Sequence, residues 1–464
     1  MPISTKNDME KTEGTVMSKR RYHTKEEVLA RGREVIGIPM KDIDKTGRIN
    51  IGKGAIGSIL EESWFGYKIN SESEPDFAEA GVELKATPYI RTPKGIRAKE
   101  RLVCNIINYM EEYKHTFYDS SFWKKCNTML LMSYEHRYDV PKSEFTVDEA
   151  TLFSFPEEDL VIIENDWRKI VQKIRDGRAH ELSEGDTLYL GACTKGVNAS
   201  SMREQPFSRI PAKQRAFSLK QSYMTYILNN YIFGTKTDEH IIKDPAKLAH
   251  TGFEEYILEQ IRPYIGMSQA QLKQRLGIQS KAKSINDLLL AAMLGIKGRI
   301  SATSEFQKAN IIPKTVRVNM DGTVTESMSF PAFDFCEVAR GTWETSECKN
   351  VLEQTKFLFV IFRFNELGDL IFDDIKFWHI PEADLEEVKT VWEKTSKILR
   401  EGVKFRTVGK RTFNNLPKAT ENRVAHVRPH AKDSKDTMPL PDGREMPKQC
   451  FWLNNTYIAQ QVRR

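Results

Sequence analysis

The sequence predicts an α/β chain in which mixed sheets are flanked by helices, arranged as two tandem domains of one fold. Three observations carry this expectation. Short alternating runs that suit strands, at 81–87, 101–107, 127–134 and 187–192, lie between segments of helical pattern. A weak internal repeat runs through the chain with a nearly constant offset. A length of 464 residues exceeds what one compact core usually holds.

Taken in order, residues 1–22 are polar and charged, which predicts a disordered N-terminus. Thr24 and Glu27 form a capping-box pattern ahead of Val28, Leu29 and Val35, so a helix starts at Thr24. A second helix follows Gly54, with Ile56, Ile59, Leu60, Trp64 and Phe65 on its apolar side. The four strands named above come next. Residues 235–284 are charge-rich and broken by Pro245, Pro263 and Gly266, and read as a partly helical connection.

The repeat fixes the larger organisation. Trp64-Phe65-Gly66-Tyr67-Lys68 resembles Met293-Leu294-Gly295-Ile296-Lys297 at an offset of 229 residues. Carried forward, that offset lands Val82-Glu83-Leu84-Lys85 on Ile311-Ile312-Pro313-Lys314. Asp166-Trp167 with Asp176-Gly177 matches Val391-Trp392 with Glu401-Gly402 at 225, and Phe217-Ser218-Leu219 with Tyr223 matches Phe451-Trp452-Leu453 with Tyr457 at 234. Anchors in constant order imply a diverged duplication, with copies at 23–234 and 285–464 joined by 235–284.

Composition narrows the class. Apolar residues are 40% and charged residues 29%, ordinary for a soluble globular protein. A formal charge of +6 and a pI near 8.7 are compatible with a polyanionic partner but weakly diagnostic. The longest apolar runs, around 288–294 and 357–362, are too short to span a bilayer, and the first twenty residues hold no secretory signal. Six cysteines without a CxxC pair exclude a zinc or redox motif of close spacing and read as isolated thiols in a reduced, intracellular protein.

The motif that carries chemistry is Pro75-Asp76, six residues, then Glu83-Leu84-Lys85. In a strand over 81–87, Glu83 and Lys85 share one face, while Val82, Leu84 and Ala86 share the other. The first face then presents a carboxylate and an ammonium two residues apart. Asp76 and Glu83 supply hard oxygen ligands suited to Mg²⁺, and Lys85 can orient a water and add positive charge beside a phosphate. Glu61, on the helix after Gly54-Ala55-Ile56-Gly57, adds a third carboxylate. A solvated strand edge with an incidental salt bridge would show the same short pattern.

The flanking strings decide between these readings. Gly54-Ala55-Ile56-Gly57-Ser58-Ile59-Leu60-Glu61, then Asp76 and Gly81-Val82-Glu83-Leu84-Lys85, resemble the MutH mismatch-repair nucleases of the PD-(D/E)xK superfamily. Over nearly the whole chain the likeness is greater to the GATC-cleaving type II restriction endonucleases built on that fold. It extends through Lys99–Val103, Asn105–Tyr109, Cys193–Ser201, Lys213–Lys220, His426–His430 and Phe451–Asn455. The resemblance implies a bacterial cytoplasmic enzyme that cuts double-stranded DNA at 5′-GATC-3′, before the G, with Mg²⁺. It implies catalytic roles for Glu61, Asp76, Glu83 and Lys85, with metal held by Asp76, Glu83 and Glu61. A further family lysine corresponds to Lys125, with Lys124 adjacent.

The resemblance places the loop at Cys193–Ser201 in the major groove, where Lys195 would read guanine and Asn198 adenine, with Ser200 and Ser201 on phosphates. Lys213, Arg215 and Lys220 are expected on the DNA backbone, or else on a solvated basic face. In the second copy Glu61, Asp76, Glu83 and Lys85 fall on Leu290, Glu305, Ile312 and Lys314. Leucine and isoleucine cannot hold Mg²⁺, so this copy should not cut. Arg428 and His430 occupy its recognition loop, which suits an effector domain that binds DNA. One cutting centre per chain implies that a chain monomeric in solution pairs with a second on the palindrome. A strand-nicking repair-type enzyme and a non-catalytic DNA-binding regulator are the competing expectations.

Overall fold

The structure, a computed structural model, describes residues 21–463 apart from 53, 70–73, 94, 197–199, 235–238, 283 and 410. The disorder expected over 1–20 lies outside the described residues. Tyr22 corrects its end: the ring is 4% exposed and packs edge-on against Phe65 and Phe77.

The capping box forms as read. Thr24 Oγ1 accepts from the Glu27 N–H at 3.2 Å, and Glu27 Oε2 accepts from the Thr24 N–H, opening the helix Lys25–Arg33. The helix after Gly54 runs over Ala55–Ile59 and then widens into a π turn, Leu60–Trp64. Ile56, Ile59, Leu60 and Phe65 are buried, while Trp64 takes the Arg31 guanidinium over its ring at 3.8 Å.

Two compact units divide the chain, Met1–Tyr89 with Lys124–Ser154 and Ile90–Trp123 with Phe155–Arg464. In the first unit the strand beginning at Glu83 runs parallel to Thr128–Glu135, which pairs antiparallel with Glu149–Ser154. Val82, Leu84, Leu130 and Met132 close this sheet's apolar face against Val28, Ile56, Ile59 and Leu60. Each such side chain removed from water contributes about 1.5–3 kcal/mol. That anchorage fixes which face of the first strand remains for polar groups.

In the second unit Leu102–Ile106 and Leu190–Thr194 flank Arg215–Leu219, all antiparallel, alongside the amphipathic helix Glu157–Arg175. Ile311–Val318 runs parallel to Lys356–Phe364, which pairs antiparallel with Leu370–Trp378. The helix Glu382–Glu401 follows, and Met328–Ala332 and Ala425–Pro429 flank Gln449–Leu453. Leu248, Phe253, Ile257 and Leu272, within the segment read as a connection, are buried in this unit.

The strand and helix order is therefore repeated, register included. Glu83 pairs with Met129 and Lys85 with Leu131; at offsets of 229 and 228 these become Ile312 with Phe357 and Lys314 with Phe359, which pair. The helices Glu157–Arg175 and Glu382–Glu401 start 225 residues apart, and the helices Gln221–Ile227 and Asn455–Gln461 start 234 apart. Gly177 and Gly402, at corresponding helix ends, both take positive φ, +70° and +97°. The duplication read from short matches is present in the topology.

One buried ion pair joins the copies. Lys308 Nζ lies 2.7 Å from Asp159 Oδ1, and Tyr223 donates its hydroxyl to Asp159 Oδ2 at 2.9 Å. Among the described residues no helix is long and apolar enough to cross a membrane, and no disulfide joins the cysteines.

Candidate active site

The loop before the first strand folds back because Phe77 and Val82 exchange backbone hydrogen bonds, with Gly81 at φ +64° closing the turn. A side chain at Gly81 would meet no steric block but would strain the left-handed backbone by about 1–2 kcal/mol. Phe65, Tyr67 and Tyr22 clamp Phe77 from the core side. The turn brings Asp76 beside the strand's start. Its N–H donates to Glu83 Oε2 at 3.1 Å, and its Oδ2 accepts from the Leu84 N–H at 3.0 Å.

The predicted face is realised. Glu83 is 2% exposed, and Lys85 Nζ donates to Glu83 Oε1 at 2.8 Å. Lys125 Nζ lies 3.8 Å from the same oxygen and donates to the Glu74 carbonyl at 3.3 Å. Lys125 thus lies beside the Glu83 carboxylate and tethers the loop that presents Asp76. One polar pair went unnoticed in the sequence: Thr87 Oγ1 and Ser133 Oγ, buried 3.0 Å apart, continue the alternation of Glu83 and Lys85. Thr87 closes the strand read over 81–87, and its period-two place on the face of Glu83 and Lys85 was the signal for it.

Electrostatics bind Glu61 to this cluster. Burial first, then the charges of Asp76 and Glu83, push its carboxyl up to about 8, against the opposing pull of Lys125 and Lys85. Burial likewise raises Glu83, with Lys85 counteracting and Asp76 adding to the shift. Three carboxylates therefore converge on two ammoniums. Among the described residues no three acidic, histidine or cysteine groups close into a ready metal cage. An open pair of carboxylates beside a third fits Mg²⁺, which takes one or two protein carboxylates and completes its shell with water and phosphate.

A pH effect follows. In the metal-free protein folded Glu61 keeps its proton up to about pH 8, whereas the unfolded chain releases it near 4.5. The folded state binds the extra proton in that window, so the stability this group contributes is full below pH 4.5 and is lost as pH rises through 8. Melting temperatures without metal should fall more steeply from about pH 5 to pH 8 for the parent than for Glu61→Gln. Parallel curves would contradict the assignment.

The second copy shows the same frame emptied of this chemistry. Leu290 is fully buried, and Ile312 packs against the core. Glu305, 3% exposed, accepts from the Ile241 and Ile242 N–H groups at 3.0 and 2.9 Å and caps the preceding segment. Burial lowers the Lys314 ammonium and raises the Asp287 carboxyl that faces it.

The expected DNA-reading residues divide. Lys195 is exposed at the head of its loop, where its N–H donates to the Gln214 carbonyl, and Gln214 N–H donates to the Ser201 carbonyl at 2.9 Å. Gln214, which the sequence did not single out, therefore fastens both ends of the loop. Ser200 and Ser201 lie on it, and Asn198 falls outside the described residues. Lys213 pairs with Glu382. Lys220 is corrected: only 7% exposed, it donates to the carbonyls of Glu184 and Thr187 at 2.8 and 2.5 Å. Burial brings its ammonium down to about 8. Arg215 is corrected likewise, 5% exposed with Nη1 donating to the Ala192 carbonyl at 2.6 Å. Both brace strands instead of lying on a basic surface. Arg428 and His430 are exposed, Arg428 over the Trp452 ring at 4.5 Å and His430 against that ring's edge at 5.7 Å.

The chain is similar to known DNA-acting enzymes. The family model of the DNA mismatch repair enzyme MutH matches residues 65–166. The type II restriction enzyme Sau3AI of Staphylococcus aureus is 40% identical, over 95% of this chain and 99% of its own. The DNA mismatch repair proteins MutH of Vibrio vulnificus and Shewanella woodyi are 24% and 26% identical over 45% and 46% of this chain, spanning 93% and 94% of theirs. The mismatch-repair proteins thus match less than half of the chain, whereas the restriction enzyme matches both copies. The chain belongs to the type II restriction endonucleases built on a MutH-like nuclease.

Proposed function

We propose that this endonuclease cleaves both strands of double-stranded DNA at 5′-GATC-3′, before the G, with Mg²⁺, and that its second copy binds DNA as an effector. The observation that carries the proposal is the contrast between the copies: Asp76, Glu83 and Lys85 meet in one, whereas in the other Glu305 is tied to backbone N–H groups, Ile312 is apolar and only Lys314 keeps its charge. We take 23–234 and 285–464 as the two copies, joined by 235–284.

Asp76, Glu83 and Glu61 would hold the ion. Bound there, Mg²⁺ supplies Lewis acidity to the scissile phosphate and a water of lowered pKa. The Asp76 N–H bond to Glu83 and the Leu84 N–H bond to Asp76 hold both carboxylates in place before DNA arrives. Lys85, held beside Glu83, orients the attacking water and opposes the charge that develops on the phosphate. Lys125 keeps the Asp76 loop in place. Lys195 and Asn198 read guanine O6/N7 and adenine N6/N7 from the major groove.

Digestion of a GATC plasmid with Mg²⁺, in methylated and unmethylated forms, followed by sequencing of the ends, tests the proposal. Breaks before G on both strands are expected, and uncut unmethylated plasmid would sink it. A second reading, strand nicking, draws on the single cutting centre per chain; a plasmid that is nicked but never linearised would favour it. We place two chains on one palindrome, because its two scissile bonds are related by a twofold axis.

The effector role has its own expected result. If Arg428 docks a second site, a two-site plasmid should be cut about tenfold faster than a one-site plasmid, within the usual range of coupling between sites. Arg428→Ala should erase that ratio while leaving one-site cleavage intact. Equal rates on both plasmids for the parent would remove the effector role.

A further inference from the structure

The two copies are not the same length between the long helix and the strand that leads to the recognition loop. The helices Glu157–Arg175 and Glu382–Glu401 start 225 residues apart, whereas the strands Leu190–Thr194 and Ala425–Pro429 start 235 apart. The second copy therefore carries ten additional residues there. This stretch holds a two-stranded antiparallel ribbon, Phe405–Val408 paired with Arg411–Asn414. Every residue of the first strand, and all but Asn414 of the second, is exposed.

The composition of this ribbon is unusual for a surface hairpin. Residues 404–414 include Lys404, Arg406, Lys410 and Arg411 and no acidic residue. Across 404–448 eleven Lys and Arg stand against five Asp and Glu, an excess of six that equals the formal excess of the whole chain. Several of those cations are already neutralised: Arg423 by Asp384, Arg444 by Asp442 and Lys448 by Asp436. Among the described residues no ion pair joins Lys404, Arg406 or Arg411 to a carboxylate. A solvated hairpin with a structural role alone would ordinarily interleave both signs of charge.

Register gives the ribbon two distinct faces, since directly opposed residues of an antiparallel pair share a face. Phe405 with Asn414 and Thr407 with Thr412 form one. This face is the anchored one: the Arg444 guanidinium lies over the Phe405 ring at 5.0 Å, and Asn414 Nδ2 donates to Met446 Sδ at 3.8 Å. The other face holds Arg406 with Phe413 and Val408 with Arg411. Two unpaired arginines interleaved with apolar side chains, on a ribbon braced from behind, match what a DNA groove and its phosphates accept. The major groove is wide enough for a two-stranded ribbon.

We propose that the ribbon 404–414 is a DNA-binding arm of the second copy, with Arg406 and Arg411 on the duplex. It deepens the reading that this copy binds DNA, and adds a contact surface that the first copy lacks. The experiment uses the full chain carrying Glu83→Gln, so that bound duplex stays uncut, and a fluorescent duplex bearing two GATC sites. Affinity is measured as a function of salt for that protein and for three variants built on it: Arg406→Ala/Arg411→Ala, Arg428→Ala, and Lys389→Ala/Lys397→Ala as a charge-matched control on the long helix.

The ribbon variant should bind about tenfold more weakly and lose about two units of salt slope, near 0.9 per phosphate contact removed, while the control stays within twofold. Unchanged affinity and slope in the ribbon variant, with Arg428→Ala weakened, would overturn the arm and leave the effector reading standing. No effect from either would overturn both. A ribbon variant that binds normally but loses chain–chain association by light scattering would assign the surface to a second copy of the protein instead.

Discussion

Glu83→Gln should abolish cleavage, lowering turnover at least about 10³-fold, while leaving the protein folded and no less stable. The amide keeps the shape of the carboxylate, and its one oxygen can still accept from the Asp76 N–H and hold the loop, while the half-buried Lys85 ammonium, which had bonded the other oxygen, turns to solvent. What disappears is one negative charge in a pocket where burial already holds Glu83 and Glu61 above their ordinary values. Removing it relieves repulsion between carboxylates in the metal-free state, and the melting temperature should hold or rise. This opposition of activity and stability is what distinguishes a charge gathered for function from one gathered for packing. A variant that loses activity only in proportion to a loss of folded protein would refute the assignment. Equilibrium binding supplies the second readout, since the variant should still bind GATC duplex through Lys195 and its loop.

Strand alternation made this site legible. Glu83 and Lys85 declare a polar face by period two, and Asp76 follows from the short turn before them. Glu61 lay outside that alternation, because a π turn after Ala55–Ile59 sets its direction; its place on the helix after Gly54 and the family resemblance pointed to it. Arg215 and Lys220 were misread for a physical reason. A lysine that saturates two carbonyls in a core and one that lies in solvent look the same in a local window. The partners of Lys220, the carbonyls of Glu184 and Thr187, lie more than thirty residues away. The ribbon 404–414 was invisible as an arm, since its meaning depends on comparing two copies whose similarity fades where the insertion begins. Core identity travelled better: Ile56, Ile59, Leu60, Val82 and Leu84 are buried as their spacing implied.

Lys308→Met should destabilise the protein by about 3–5 kcal/mol, although Lys308 touches neither cutting centre nor recognition loop. Both it and Asp159 are 1% exposed, and Asp159 Oδ2 is taken by the Tyr223 hydroxyl. The ammonium also lies 4.6 Å from the Tyr226 ring centroid. The second copy shows what this position replaces. Asp384, the counterpart of Asp159, keeps the tyrosine through Tyr457 at 2.7 Å but takes its cation from Arg423 within its own copy. In the first copy the cation is contributed by the second, so the pair registers one copy on the other. Methionine fills the volume and strands Asp159 as a buried charge without its partner. Burial already raises that carboxyl. With the ammonium gone it rises further, the folded state takes up a proton, and the loss of stability grows as pH climbs above the ordinary carboxylate range. Chemical denaturation at pH 5 and pH 8 should show the larger deficit at pH 8. Asp159→Asn combined with Lys308→Met should recover most of it, because the pair is removed together and no charge is left behind. A double variant as unstable as the sum of the singles would show that the two residues act independently, and that the copies are held in register by apolar packing alone.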